Sequence, residues 1–77
     1  SAQKTITVAP ETGSERLRFA LNKRVSNETF FWFVRTCFQH GVENLKLYYL
    51  VGIPGETQKD IEEIVNLTLA FKEIAQN

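Results

Sequence analysis

Thr5-Ile6-Thr7-Val8-Ala9 alternates polar and apolar side chains and is rich in β-branched residues, which predicts a strand over about 5–9. Ile6 and Val8 share one face. Thr5, Thr7 and Ala9 share the other, and Glu11 continues that second parity just past the strand end. Beyond the loop Pro10-Glu11-Thr12-Gly13, Ser14 has the side chain to cap a short helix over about 15–21, with Leu17 and Leu21 at i, i+4. Asn22-Lys23-Arg24-Val25 breaks it. Ser26 is the next N-cap, Glu28 suits the first turn, and Gly41 is placed to end a helix over about 27–40 in a left-handed conformation. Phe30, Phe33, Val34, Cys37 and Phe38 form its apolar face, with Phe31 and Trp32 beside or beyond it.

The second strand is predicted over about 45–51. Leu45, Leu47, Tyr49 and Val51 occupy one face; Lys46, Tyr48 and Leu50 occupy the other. That mixed second face suits the lining of a site or a solvated sheet surface. Gly52-Ile53-Pro54-Gly55-Glu56 is a turn, and Thr57 with Asp60 forms a capping box, Asp standing in for Glu, at the head of a helix over about 58–75. Ile61, Ile64, Val65, Thr68, Phe71 and Ala75 mark its buried stripe, with Leu67 and Ile74 alongside. A strand that runs through a Gly/Pro turn into a helix N-terminus is where α/β proteins seat ligands, because glycine lets backbone approach and helix amides point at the strand end.

The order strand, helices, strand, helix leaves a connection suited to a crossover, so the strands should be parallel and the crossover right-handed. The fold class is α/β: a βαβα piece of a partial (β/α) barrel. Two parallel strands with helices enough for one face do not complete a domain, which points to a single fragment spanning 1–77 of a larger barrel or sheet. A first residue of Ser and not Met suggests processing or an excised segment.

Composition narrows the functions. The chain has 77 residues, with 9 basic and 9 acidic side chains, so there is no basic patch to argue for nucleic acid. No apolar run approaches the ~20 residues that span a bilayer. The single cysteine excludes an internal disulfide, suits a cytoplasmic setting, and excludes a zinc or iron–sulfur site built on this chain's thiolates alone. Cys37 itself reads as core packing, and His40, at a helix C-terminus, as a favourable cation without a catalytic role.

Thr7-Val8-Ala9-Pro10-Glu11-Thr12-Gly13-Ser14-Glu15-Arg16-Leu17, then Asn22-Lys23, then Leu45 through Thr57, resembles the fourth and fifth βα units of a radical S-adenosylmethionine (SAM) enzyme, from about Thr5 to Leu67. The Ala-Pro-Glu followed by Gly and Ser resembles the subfamily that often carries a cobalamin-binding domain. The turn from Gly52 to Thr57 is common to that group and the methylthiotransferases. The resemblance implies a parent Fe–S oxidoreductase in which a CxxxCxxC loop binds a four-iron–four-sulfur cluster that cleaves S-adenosylmethionine, with cobalamin as a further cofactor of the parent. This chain has no CxxxCxxC, so by itself it should be inactive.

What the resemblance implies for this chain is cofactor-binding surface. Glu11 and Ser14 sit where the fourth strand contacts the sugar or methionine part of S-adenosylmethionine. Lys23 falls where relatives often carry an Arg that meets the methionine carboxylate; Arg24 is the neighbouring candidate. Leu50 and Gly52 match the middle and end of a loose GxIxGxxE pattern, where an aliphatic side chain packs on adenine and glycine permits close approach. Tyr48 replaces the pattern's first Gly, and Glu56 lies one residue beyond its acid. Tyr48 shares the side of Leu50 and is placed to bond the ribose or line a substrate pocket, or to be a plain sheet-face tyrosine. The partners implied are S-adenosylmethionine and the rest of the barrel. Two rivals are a non-catalytic module that self-associates through its open sheet and aromatic helix, and an unrelated barrel piece whose Gly-Ile-Pro-Gly turn binds phosphate.

Overall fold

The computed structural model describes residues 4–76. Its elements run β1 (Thr5–Glu11), α1 (Glu15–Ala20), α2 (Asn27–Gln39), β2 (Asn44–Tyr49) and α3 (Gln58–Gln76). The strands pair in parallel as a two-stranded sheet, so the fold is an α/β fragment of the kind a βα barrel is built from. Ile6 pairs with Leu45 and Val8 with Leu47, which puts four apolar side chains on one face. Val34 of α2 and Leu67 and Phe71 of α3 pack on that face around Val8, and Phe30 and Phe31 meet the Phe71 ring edge-on at 6.5 and 5.2 Å. Among the described residues nothing covers the other face, where Thr5, Thr7, Lys46 and Tyr48 are exposed.

Each helix begins where its sequence says it should. The Ser14 hydroxyl accepts from the Leu17 amide and the Ser26 hydroxyl from the Thr29 amide, each satisfying a donor that lacks an intrahelical partner. At α3 the capping box closes both ways. The Thr57 amide donates to the Asp60 carboxylate at 2.9 Å, and the Asp60 amide donates back to the Thr57 hydroxyl at 3.2 Å. Gly41 follows α2 at φ +102°, the left-handed region that stops a helix cleanly.

Four details differ from the sequence expectation. β1 and β2 lose register between Val8 and Glu11, where one additional residue on β1 shifts the pairing and Glu11 comes to lie opposite Tyr49. Simple alternation therefore does not place Glu11. Val51 is not part of the second strand and its Leu45–Leu47–Tyr49 face: β2 ends at Tyr49, and Val51 is 73% exposed. On α2 the buried side includes Phe31, while Phe33 is exposed, because the helix turns its Phe30–Phe31–Val34–Phe38 stripe toward Phe71. On α3 the stripe runs through Leu67 and Phe71, and Ile61 and Val65 are left exposed.

Candidate functional site

The C-terminal ends of two parallel strands lie side by side. Glu11 ends β1 in the left-handed region, at φ +71°. A non-glycine residue there is held by its surroundings, and the surroundings are visible. Its carbonyl accepts the Leu50 amide at 2.6 Å, tying the end of β1 to the residue just beyond β2. Its carboxylate meets the Lys23 ammonium at 3.2 Å, with both side chains about one-third exposed. Lys23 also donates to the Ala9 carbonyl. One half-buried pair of opposite charge therefore sits at the strand ends, open to solvent on one side.

Beyond β2, Leu50 and Gly52 are exposed, and Tyr48 projects from the uncovered sheet face with 58% of its surface exposed. Gly52 adopts φ +76°, and a Cβ built on it would meet nothing within 4 Å. Its amide donates to a Glu56 carboxylate oxygen at 2.9 Å, which braces the turn from within. The backbone of this turn is thus bare on its outer side.

Ser14 lies elsewhere. It is buried, its hydroxyl caps α1, and it leans on Asp60 of α3. The structure brings Glu11, Lys23, Leu50 and Gly52 together at the strand ends, sets Tyr48 on the adjoining sheet face, and turns Ser14 inward. Asp60 gathers the Thr57 amide, the Thr57 hydroxyl and the exposed Arg16 guanidinium. The Ser14 hydroxyl first, then the Thr57 amide, hold its carboxyl well below the usual carboxylate range. Asp60 is a fixed anion that joins the β1–α1 loop to the head of α3.

Arg18 escaped the sequence reading. It is fully buried, and its guanidinium donates to the Pro10, Thr12 and Val25 carbonyls and to the Asn27 side chain, at 2.8–2.9 Å. It stacks 5.0 Å over the Phe30 ring. Desolvation lowers its pKa, opposed by Glu15, but an arginine remains charged. A charged residue on a short helix reads as solvent-facing; the signal that could have found it is the run of loop carbonyls on either side, which need buried donors. Tyr49 of β2 exchanges a hydroxyl bond with Thr68 at 3.0 Å beneath the same region, and burial raises its phenol above its ordinary value.

The donor set does not fit a metal cluster. Cys37 is the one cysteine of the chain, half-buried on α2, and among the described residues no group of three or more His, Cys, Asp or Glu is placed to hold a metal. It does fit part of a zwitterionic nucleoside ligand. The Glu11 carboxylate complements an ammonium, the Lys23 ammonium complements a carboxylate, and Leu50 beside the Gly52 turn offers exposed apolar surface.

Parallel strand ends are where α/β folds carry their ligand sites. The model of the radical SAM superfamily matches residues 1–68, and the chain belongs to that superfamily. It is 48% identical over 69 residues to an uncharacterized protein of Methanocaldococcus jannaschii; the match covers 90% of this chain and 16% of that protein. The chain thus spans about one-sixth of that relative's length. No solved structure matches it. Among the described residues no helix is long and apolar enough to cross a membrane.

Proposed function

We propose that this chain supplies part of the S-adenosylmethionine-binding surface of a radical SAM Fe–S oxidoreductase. The observation that carries the reading is the Glu11–Lys23 pair at the strand ends, set beside the exposed Leu50 and the bare Gly52 turn. Glu11 receives the methionyl ammonium or a ribose hydroxyl, and Lys23 the methionyl carboxylate. Leu50 packs on adenine, Gly52 admits it to the backbone, and Tyr48 borders the ribose or the substrate. Ser14 serves the surface by fixing the loop that follows Glu11.

A four-iron–four-sulfur cluster, held by residues outside this chain, would supply the one-electron reduction of the cofactor in the parent protein. The ligands for that cluster belong to another part of the parent protein, and this chain alone binds without reacting. The uncovered sheet face, Tyr48 and the free strand edges suit completion by the rest of a barrel. The Ala9-Pro10-Glu11 and Gly52–Thr57 motifs favour the cobalamin-associated or methylthiotransferase-like branches, and the lone free cysteine suits a cytoplasmic parent.

The test is an amide ¹H–¹⁵N titration of the chain with S-adenosylmethionine, run beside inorganic phosphate. Shifts grouped at Glu11, Lys23 and Leu50 to Glu56 with S-adenosylmethionine alone are expected. Shifts at Gly52–Gly55 with phosphate alone would replace this reading with a phosphate site.

A second reading, self-association, is favoured by one specific observation. Trp32 and Phe33 are exposed next to the unpaired edge of β1, beside an apolar groove of about 340 Å³. Sedimentation across a concentration series tests it: a single monomer mass throughout rejects it.

A further inference from the structure

Four successive carbonyls, from Ala9 at the end of β1 to Thr12 in the loop beyond it, each have a partner. Ala9 receives Lys23, Pro10 and Thr12 both receive Arg18, and Glu11 receives the Leu50 amide. Arg18 therefore holds the carbonyls of the two residues that flank Glu11. The same guanidinium reaches across to the Val25 carbonyl and the Asn27 side chain, which bound the loop that carries Lys23. The Arg18 carbonyl in turn accepts the Lys23 amide at 3.1 Å. One buried side chain thus fixes both limbs from which the ion pair is built.

We infer that Arg18 is the positioning residue of the strand-end site: its buried guanidinium clamps the Glu11 and Lys23 loops to each other and sets the separation of the two charged groups. The inference rests on the reading of that pair as the binding surface only for its consequence on affinity; the clamp itself is a statement about geometry. Arginine suits the task because its planar fork delivers several donors in fixed directions. Lysine keeps the charge and cannot span acceptors on two loops. Glu11 is the member most dependent on the clamp. Its left-handed backbone is disfavoured for a side chain with a Cβ, so it persists only while the neighbouring peptides are pinned. When the clamp is removed, Glu11 relaxes toward φ < 0 and its carboxylate leaves Lys23.

The experiment compares Arg18→Lys with the intact chain by NMR. The first readout is the Lys23 ammonium ¹H–¹⁵N signal, which survives solvent exchange only while its protons are held in hydrogen bonds, together with contacts from the Lys23 side chain to Glu11. The second is the S-adenosylmethionine affinity. The expected result is loss of the ammonium signal and movement of the Glu11, Lys23 and Val25 amides. The Thr57 and Asp60 amides at the head of α3 should stay in place, and binding should weaken about tenfold. Retention of the Lys23 signal and the Glu11 contact in a folded Arg18→Lys chain overturns the clamp, whatever happens to affinity. An intact chain that ignores S-adenosylmethionine, yet loses the contact in the variant, overturns the binding reading and keeps the clamp. Should Arg18→Lys unfold, Asn27→Ala decides by the same signals. It removes one anchor and should weaken the Lys23 signal; an unchanged Lys23 signal there counts against the clamp.

Discussion

The two loops that leave the strand ends hold the same place in successive βα units and are in opposite physical states. The β1–α1 loop is closed. Thr12, Gly13 and Ser14 are buried, the Ser14 amide donates to the Thr12 hydroxyl at 3.2 Å, and Arg18 takes the Pro10 and Thr12 carbonyls. The β2–α3 loop is open. Gly52 and Gly55 are exposed at φ +76° and +87°, with nothing within 4 Å of a Cβ built on either. The glycines make the contrast concrete. Gly13 has no need of a left-handed backbone and no room: a Cβ there would stand 2.3 Å from the Ile64 amide nitrogen. Gly52 has room and needs the left-handed backbone. The first glycine serves packing and the second serves conformation, and only the second has open space around its Cα.

Substitution at these positions separates the two uses. Gly13→Ala should have the largest effect, because α3 backbone and not a flexible side chain occupies the space. A loss of about 3 kcal/mol is expected, and a urea titration followed by circular dichroism should find the chain largely unfolded in water. A well-folded Gly13→Ala chain would mean that the loop and α3 part easily, and the contrast would fail.

Asp60 comes next, because it links the closed loop to the head of the helix that follows the open one. Its carboxyl is depressed by the Ser14 hydroxyl and the Thr57 amide, so its contribution is fully present above the ordinary carboxylate pKa of about 4 and is lost as pH falls below it toward the lower folded value. The urea midpoint should therefore drop on the acid side of about pH 4. In Asp60→Asn the midpoint should be lower at neutral pH and the acid limb flatter. An acid limb of unchanged slope in the variant would show that other carboxylates carry it.

Thr57→Ala removes the one hydroxyl that both accepts from the Asp60 amide and donates to its carboxylate, and should cost roughly 1–2 kcal/mol. Gly52→Ala should cost least, about 1 kcal/mol of backbone strain with no clash, and Gly52→Asn less again. If Gly52→Ala matched Gly13→Ala, the open loop would have to be as tightly enclosed as the closed one.

The local code was legible in the sequence. Ser14, Ser26, Thr57 with Asp60, and Gly41 announce the helix ends because a cap is a contact between near neighbours. The parallel pairing followed from the length of the crossover. The misreadings are long-range or involve one residue of register. Arg18 is buried because carbonyls six to eight residues away converge on it, which no periodicity reports. The irregularity between Val8 and Glu11 defeats alternation at the residue of greatest functional interest. Phe31 and Phe33 exchange roles because a wide aromatic stripe leaves the facing angle of α2 to Phe71 on a distant helix. At the candidate site, Glu11 and Lys23 were each legible as candidates, and their ion pair was not legible as a contact, since it spans twelve residues through a loop.

Trp32 is the chain's single tryptophan and is 62% exposed on α2. Its indole is bathed in water whether the fold is intact or lost, so the emission maximum should stay red across a denaturation series and fluorescence should be nearly blind to unfolding. The same dye-free signal should turn blue when another surface covers the aromatic edge of α2. In this protein the natural fluorophore would report any surface that covers α2, and the backbone's dichroism reports folding.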